Sequence, residues 1–179
     1  MAARRRLERL AMLAVIAAGW TFIAAEPEPR ANAPAGQSSD SSAALFAASF
    51  KDFDRHPQPL AQFRGHPMVV YFWATWCTSC RQEVPELKAL HAKYKDRHLQ
   101  VIGISADNTD KVFAFAKAQS IDYTLLLGSN DAIALSRQLG NSVGGLPFTV
   151  VVDANGKIVS TVLGAAPPGK FEELVRPLL

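Results

Sequence analysis

The longest run of the chain without a charged or strongly polar residue, Leu10 to Ala25, covers 16 residues and follows Arg4, Arg5, Arg6 and Arg9. A basic segment ahead of an apolar run is the pattern of an export leader, whose positive charges stay on the cytoplasmic side. The run is shorter than the roughly 20 residues of a relaxed spanning helix, although tilt and snorkelling arginines accommodate such a mismatch. Two readings therefore stand, an uncleaved membrane anchor and a cleaved signal peptide, and both deliver the rest of the chain outside the cytoplasm. Residues 26–44 (EPEPRANAPAGQSSDSSAA) carry no apolar period and are rich in Pro, Ser, Ala and Gly. Such composition buries too little surface to offset its ordering entropy, which predicts a flexible linker.

From residue 45 to residue 179 the pattern becomes that of a folded domain. Leu45 to Asp54 reads as an edge strand with Phe50 and Phe53 as core contacts, broken by His56–Pro57–Gln58–Pro59. Met68 to Trp73 is continuously apolar and rich in β-branched and aromatic residues, the signature of a strand covered on both faces. Helical spacing follows from Cys77 to Lys95, where Cys80, Val84, Leu87, His91 and Tyr94 share a stripe with Leu90 beside it. Leu99–Ser105 predicts a strand, and Asn108 or Thr109 caps a helix that runs to Gln119. A further helix is expected over Asp131–Leu139. Phe148–Asp153 and Ile158–Leu163 read as two strands joined by a hairpin at Ala154–Asn155–Gly156–Lys157, and Pro168 to Leu179 closes as a helix. Strands interleaved with helices, ending in a hairpin, predict an α/β domain with a mixed central sheet flanked by helices.

Charge narrows the function. Within 45–179 there are 14 Lys and Arg against 12 Asp and Glu, unclustered, so nucleic-acid binding has no electrostatic support. The chain holds only two cysteines, which excludes a disulfide-framework scaffold and a four-thiolate metal site.

Those two, Cys77 and Cys80, stand where the buried strand hands over to a helix. As a structural staple the pair is weak, since closing so short a loop contributes about 2 kcal/mol in the chain-entropy model. As a metal site it lacks partners: the histidines are His56, His66, His91 and His98, with none at a convincing second-pair spacing. A redox pair fits best, the other two readings remaining open. Cys77 at the helix N-terminus would meet free N–H groups and the positive end of the dipole, which favour thiolate over thiol. Cys80, one turn inward, would be shielded and placed to attack a mixed disulfide. No Lys, His or Arg stands between the cysteines to add a cation.

The segment Phe72–Trp73–Ala74–Thr75–Trp76–Cys77–Thr78–Ser79–Cys80 resembles the active-site segment of thioredoxin-fold proteins, and most closely that of the exported TlpA/ResA-like thiol-disulfide oxidoreductases. Pro85 matches the proline inside that active-site helix, and Gly145–Leu146–Pro147 with Phe148–Lys157 is similar to the family's cis-proline loop, strand and turn. The similarity covers residues 45–179. The resemblance implies a thioredoxin-like fold and a cis Leu146–Pro147 bond, although an X-Pro bond is otherwise cis only about 5–6% of the time. It also implies that the backbone of Leu146 pairs with an extended substrate. Glu83 by itself reads as a solvated carboxylate one helical turn after Cys80; the resemblance makes it a partly buried acid that moves protons at the cysteines. Trp76 by itself reads as packing; the resemblance makes it a shield of the thiol at the substrate site.

The implied activity is thiol–disulfide exchange without cofactor or metal: Cys77 attacks, Cys80 resolves and Glu83 assists proton removal. The resemblance implies protein substrates with a disulfide or dithiol, a membrane-embedded electron donor, and attachment to the cytoplasmic membrane through residues 10–25, in the periplasm or its equivalent. Apocytochrome c and copper-site proteins are the implied substrates. Phe148 departs from the glutamate that usually follows the proline in the cytochrome-maturation branch, which favours a general or copper-linked reductase; Thr78–Ser79 departs from the commoner proline-containing dipeptides and leaves the reaction's direction open. A non-catalytic binding module and a copper chaperone on the same fold are the competing readings.

Overall fold

The computed structural model describes residues 35–179, with side chains from Asp40 onward. The leader at 1–25 and the first part of the expected linker, 26–34, lie outside the described residues. Within those described, no helix is long and apolar enough to cross a membrane.

The sheet is built around β3 (Met68–Trp73), every residue of which is buried. Its parallel neighbour is β4 (Gln100–Ser105), which pairs in turn with the parallel β5 (Thr124–Leu127). On the other side β6 (Phe148–Val152) runs antiparallel to β3 and forms a hairpin with β7 (Ile158–Leu163). Two short strands, β1 (Ser49–Lys51) and β2 (Pro57–Pro59), complete a seven-stranded sheet of order β2-β1-β5-β4-β3-β6-β7.

The two-residue period of β3 splits its side chains between two cores. Val69, Tyr71 and Trp73 face the side covered by α2 (Thr78–Tyr94), α3 (Thr109–Ala118) and α5 (Lys170–Val175), packing with Leu87, Val112 and Phe171. Met68, Val70 and Phe72 face α1 (Ala35–Ala47) and α4 (Ser129–Gln138), packing with Leu45, Phe46 and Leu135. This is why the run reads as uninterrupted apolar sequence rather than as an alternation.

The structure departs from the sequence reading at particular elements. The expected linker is helical from Ala35, because the last turn of α1 docks: Leu45 and Phe46 are buried, and Ser41 Oγ donates to the Gln138 carbonyl at 3.0 Å. Tertiary contact overrides the weak intrinsic signal of that segment. The prolines expected to break the first strand instead form β2, whose outer side needs no partner, so β2 rather than β1 is the edge. β5 has no counterpart among the expected elements, since four residues bounded by Tyr123 and Gly128 are too short to register a period. The closing helix ends at Val175, where a 3-10 turn containing Pro177 takes over.

Candidate active site at the start of helix α2

Cys77 is the N-cap of α2, with extended backbone angles, and its Sγ accepts a hydrogen bond from the Cys80 N–H at 3.2 Å. The two cysteines are joined as a disulfide, S–S 2.06 Å, with both side chains buried. The sulfur of Cys77 thus receives an N–H that the first turn leaves without an intrahelical acceptor, the placement expected from the spacing.

The loop that carries Cys77 is tied at every polar atom of Thr75. Its N–H donates to Asp107 Oδ2 at 3.0 Å, its hydroxyl donates to the same oxygen, and its carbonyl accepts from Arg81 Nη1 at 3.0 Å. Asp107 also accepts from the Asn108 N–H at 2.7 Å. Burial alone would raise the Asp107 carboxyl, but the bonds from Thr75 and Asn108 prevail and hold it below the usual carboxylate range. Sequence reasoning does not single out Asp107, because Asp107–Asn108 reads as a helix start.

Glu83 is 6% exposed, which removes the reading as a solvated surface carboxylate. Its Oε2 accepts from the Tyr71 hydroxyl and its Oε1 from the Ala166 N–H, both at 2.6 Å. Burial pushes its carboxyl above the ordinary value; the bonds from Tyr71 and Ala166 pull the other way, and Glu86 adds a push upward. Tyr71 also lies 3.2 Å from the Cys80 carbonyl. An acid at Glu83 therefore stands on the flank of α2 that carries Cys80, out of water and held at both oxygens.

The Leu146–Pro147 bond is cis. The antiparallel register pairs Phe72 with Phe148, so the next step along the ladder sets Pro147 beside the end of Trp73, at the sheet end from which the Cys77 loop leaves. Leu146 is half-buried against both cores, one of which contains Cys77 and Cys80. The loop ahead of it is held by Asn141, fully buried: Nδ2 donates to the Gly145 carbonyl at 2.8 Å and Oδ1 accepts the Gly145 N–H at 3.1 Å. Asn141 also escapes sequence reasoning, because Gly140–Asn141–Ser142 has the composition of an ordinary turn; nothing in the sequence marks its side chain as buried. Phe148 is buried and stacks near Phe72, centroids 5.9 Å apart, so the position that departs from the family pattern belongs to the core.

Trp76 is 64% exposed and is not the packing residue that the sequence alone suggests. Val143 and Leu163 are also exposed, and both come within 4 Å of where a Gly145 side chain would begin. Apolar side chains accordingly border the loop of Leu146 and Pro147. Among the described residues, Asp52, Asp54 and His56 are the cluster with metal-ligand atoms within reach of one another; the cysteines are not in it, and both Asp52 oxygens already accept from His56 N–H and Gln58 Nε2.

The thiol-disulfide oxidoreductase ResA of a Bacillus cereus strain is 31% identical over 107 residues, 59% of each chain. The ResA of Bacillus thuringiensis subsp. konkukian is 28% identical over 120 residues, 66% of this chain and 67% of the relative. The match therefore spans well under the full length of the first of these relatives. Among solved structures, a thiol:disulfide interchange protein of the thioredoxin family from Chlorobium tepidum superposes with a TM-score of 0.66 at 25% identity, over 73% of this chain and 92% of that one. A secreted Mycobacterium tuberculosis disulfide oxidoreductase shares the fold, with a TM-score of 0.65 at 20% identity over 75% and 98% of the two chains. The model of the AhpC/TSA family matches residues 40–161, and this chain, with its thioredoxin-like fold, belongs to that family.

Proposed function

We propose that the chain is a thiol–disulfide oxidoreductase of the cell envelope that reduces disulfides in partner proteins through Cys77 and Cys80. The observation that carries this reading is the position of Cys77 Sγ at the tip of α2, accepting the Cys80 N–H, with Cys80 fully buried one turn behind it. A thiolate at Cys77 attacks one sulfur of the partner's disulfide and releases the other as a thiolate. Cys80 gives up its proton and displaces the partner from Cys77, so the partner gains two electrons and the enzyme pair becomes a disulfide. Glu83 receives that proton. Leu146 and Pro147 hold the partner's extended backbone, with Trp76 beside the attacking sulfur.

The names of the ResA relatives support the reaction class. The finer reading is an attachment to the membrane through residues 10–25, recharging by a membrane-embedded donor, and substrates among apocytochrome c or copper-site proteins before metal insertion; it rests on the leader pattern and the family resemblance. Exposed Trp76, Val143 and Leu163 suit a partner presented as unfolded polypeptide, whose cysteines are flanked by apolar side chains. The test is reduction of insulin disulfides by the dithiothreitol-reduced protein. Wild type reduces them, and Cys77→Ser does not exceed the rate of dithiothreitol alone; equal rates for the two proteins overturn the proposal.

A further inference from the structure

We infer that Tyr71 is a positioning residue for the proton of Glu83, its hydroxyl alternating between Glu83 Oε2 and the Cys80 carbonyl as Glu83 changes protonation. The inference rests on the exchange chemistry proposed above and adds a residue to it. Tyr71 sits on β3, fully buried, with its oxygen 2.6 Å from Glu83 Oε2 and 3.2 Å from the Cys80 carbonyl oxygen. A phenol has one proton to donate and can accept at the same time. With Glu83 ionised, Tyr71 donates to Oε2, and Ala166 N–H fills Oε1. Once Oε2 takes up a proton, that proton needs an acceptor in a site largely closed to water. Tyr71 Oη supplies it, provided the phenol turns its own proton to the second acceptor within reach, the Cys80 carbonyl. Both protonation states of Glu83 are then fully hydrogen-bonded, which matters because an unpaired buried polar group is costly.

Cys80 thiol and Glu83 carboxylate become Cys80 thiolate and Glu83 carboxylic acid; the thiolate forms the bond to Cys77 while the Cys77–partner bond breaks, and the departing partner thiolate takes a proton from Glu83 or from solvent. Tyr71 is not consumed and keeps its proton throughout; burial beside Glu83 pushes the phenol's own ionisation far above its usual range. The other titratable groups that act on the pair are Glu86 on α2 and Tyr123 ahead of β5, Cys80 meeting Tyr71 through its backbone carbonyl, and no ion pair engages Glu83 among the described residues. The loop after β7 contributes the neutral Ala166 N–H.

The test measures the protonation of Glu83 in the reduced protein by infrared difference spectroscopy, the band being assigned by its loss in Glu83→Gln. Alongside it, the pH profile for resolution of a preformed mixed disulfide is recorded. Tyr71→Phe removes a donor that favours the ionised form, so both midpoints move up by about one pH unit, roughly tenfold in proton affinity. Replacing Tyr71 by 3,5-difluorotyrosine strengthens the donor and moves both midpoints down. In a Glu83→Gln background, Tyr71→Phe leaves the pH profile unmoved. Midpoints unchanged in Tyr71→Phe, or a shift that persists without Glu83, overturn the inference. Should Tyr71→Phe not fold, the fluorinated protein decides alone, and absence of its downward shift is the negative result. A wild type inert toward insulin sinks the proposed reaction, whereas the infrared midpoints still report on Tyr71.

Discussion

Asn141 offers a quantitative test of how the fold holds the loop that carries Leu146 and Pro147. Its side chain makes three hydrogen bonds in a fully buried position: to the Gly145 carbonyl at 2.8 Å, from the Gly145 N–H at 3.1 Å, and to Ser136 Oγ at 3.2 Å. At about 1 kcal/mol net for each neutral bond, Asn141→Ala costs about 3 kcal/mol, or nearer 2 if water reaches the half-buried Gly145. For a domain of this size that is a fall in Tm of roughly 5–10 °C. Ser136→Ala removes one of the three bonds to Asn141 together with the bond from Ser136 Oγ to the Ile133 carbonyl at 2.8 Å, and should cost about 2 kcal/mol. Asn141→Asp distinguishes geometry from volume. A carboxylate cannot donate to the Gly145 carbonyl and would repel it, so this variant should be the least stable at neutral pH and recover partly on acidification, when a protonated acid regains the donor. Urea denaturation of the oxidised proteins reads these differences as shifts of midpoint at constant m-value. A loss below about 0.5 kcal/mol for Asn141→Ala, within the range of ordinary surface changes, would refute the anchoring role.

The remaining predictions concern the groups beside the cysteines. Asp107 is held below its ordinary value when folded, so its contribution is present above the unfolded midpoint, near pH 3.9, and is lost as pH falls through the folded one. Asp107→Asn should therefore lower the stability read by urea at pH 7, by about 1 kcal/mol at most because the carboxylate is partly solvated, and the gap to wild type should begin to close below about pH 4. Glu83 has the opposite sign. Its folded-state value is raised, so the wild type is favoured below the unfolded midpoint near pH 4.3 and loses stability as pH rises through the folded one. Glu83→Gln should remove that slope and be more stable than wild type at pH 8, with slower disulfide reduction; a stability profile parallel to wild type from pH 4 to pH 8 would contradict the burial argument. Trp76→Ala should leave stability within about 0.5 kcal/mol, since the side chain is largely exposed, yet raise KM severalfold for a polypeptide disulfide and not for oxidised glutathione. Equal effects on both substrates would place Trp76 outside the docking surface.

The parts legible in the sequence are those with local signals. Met68–Trp73 announces a doubly covered strand, Asn155–Gly156 a hairpin, and Cys77–Cys80 a helix start, and each lies where its pattern places it. Long-range partners left no such trace. Glu83 is an acid on an amphipathic helix until Tyr71, 12 residues earlier, and Ala166, 83 residues later, close around it. Thr75 meets Asp107 across 32 residues, from the next strand's end, and Asn141 turns inward to a backbone that only folding brings there. The segment before Leu45 illustrates the same limit in reverse: composition argues for a linker, and a docked Leu45–Phe46 pair makes a helix of it.

In the proposed exchange Cys77 is the sulfur that captures the partner and Cys80 the one that releases it. Mass spectrometry of Cys80→Ser, reduced and then mixed with a disulfide-linked peptide, tests this directly. The expected product is one peptide bonded through Cys77 and persisting, with no adduct on Cys77→Ser under the same conditions. A stable adduct on Cys80 in Cys77→Ser, or no adduct in either variant, would contradict the assignment.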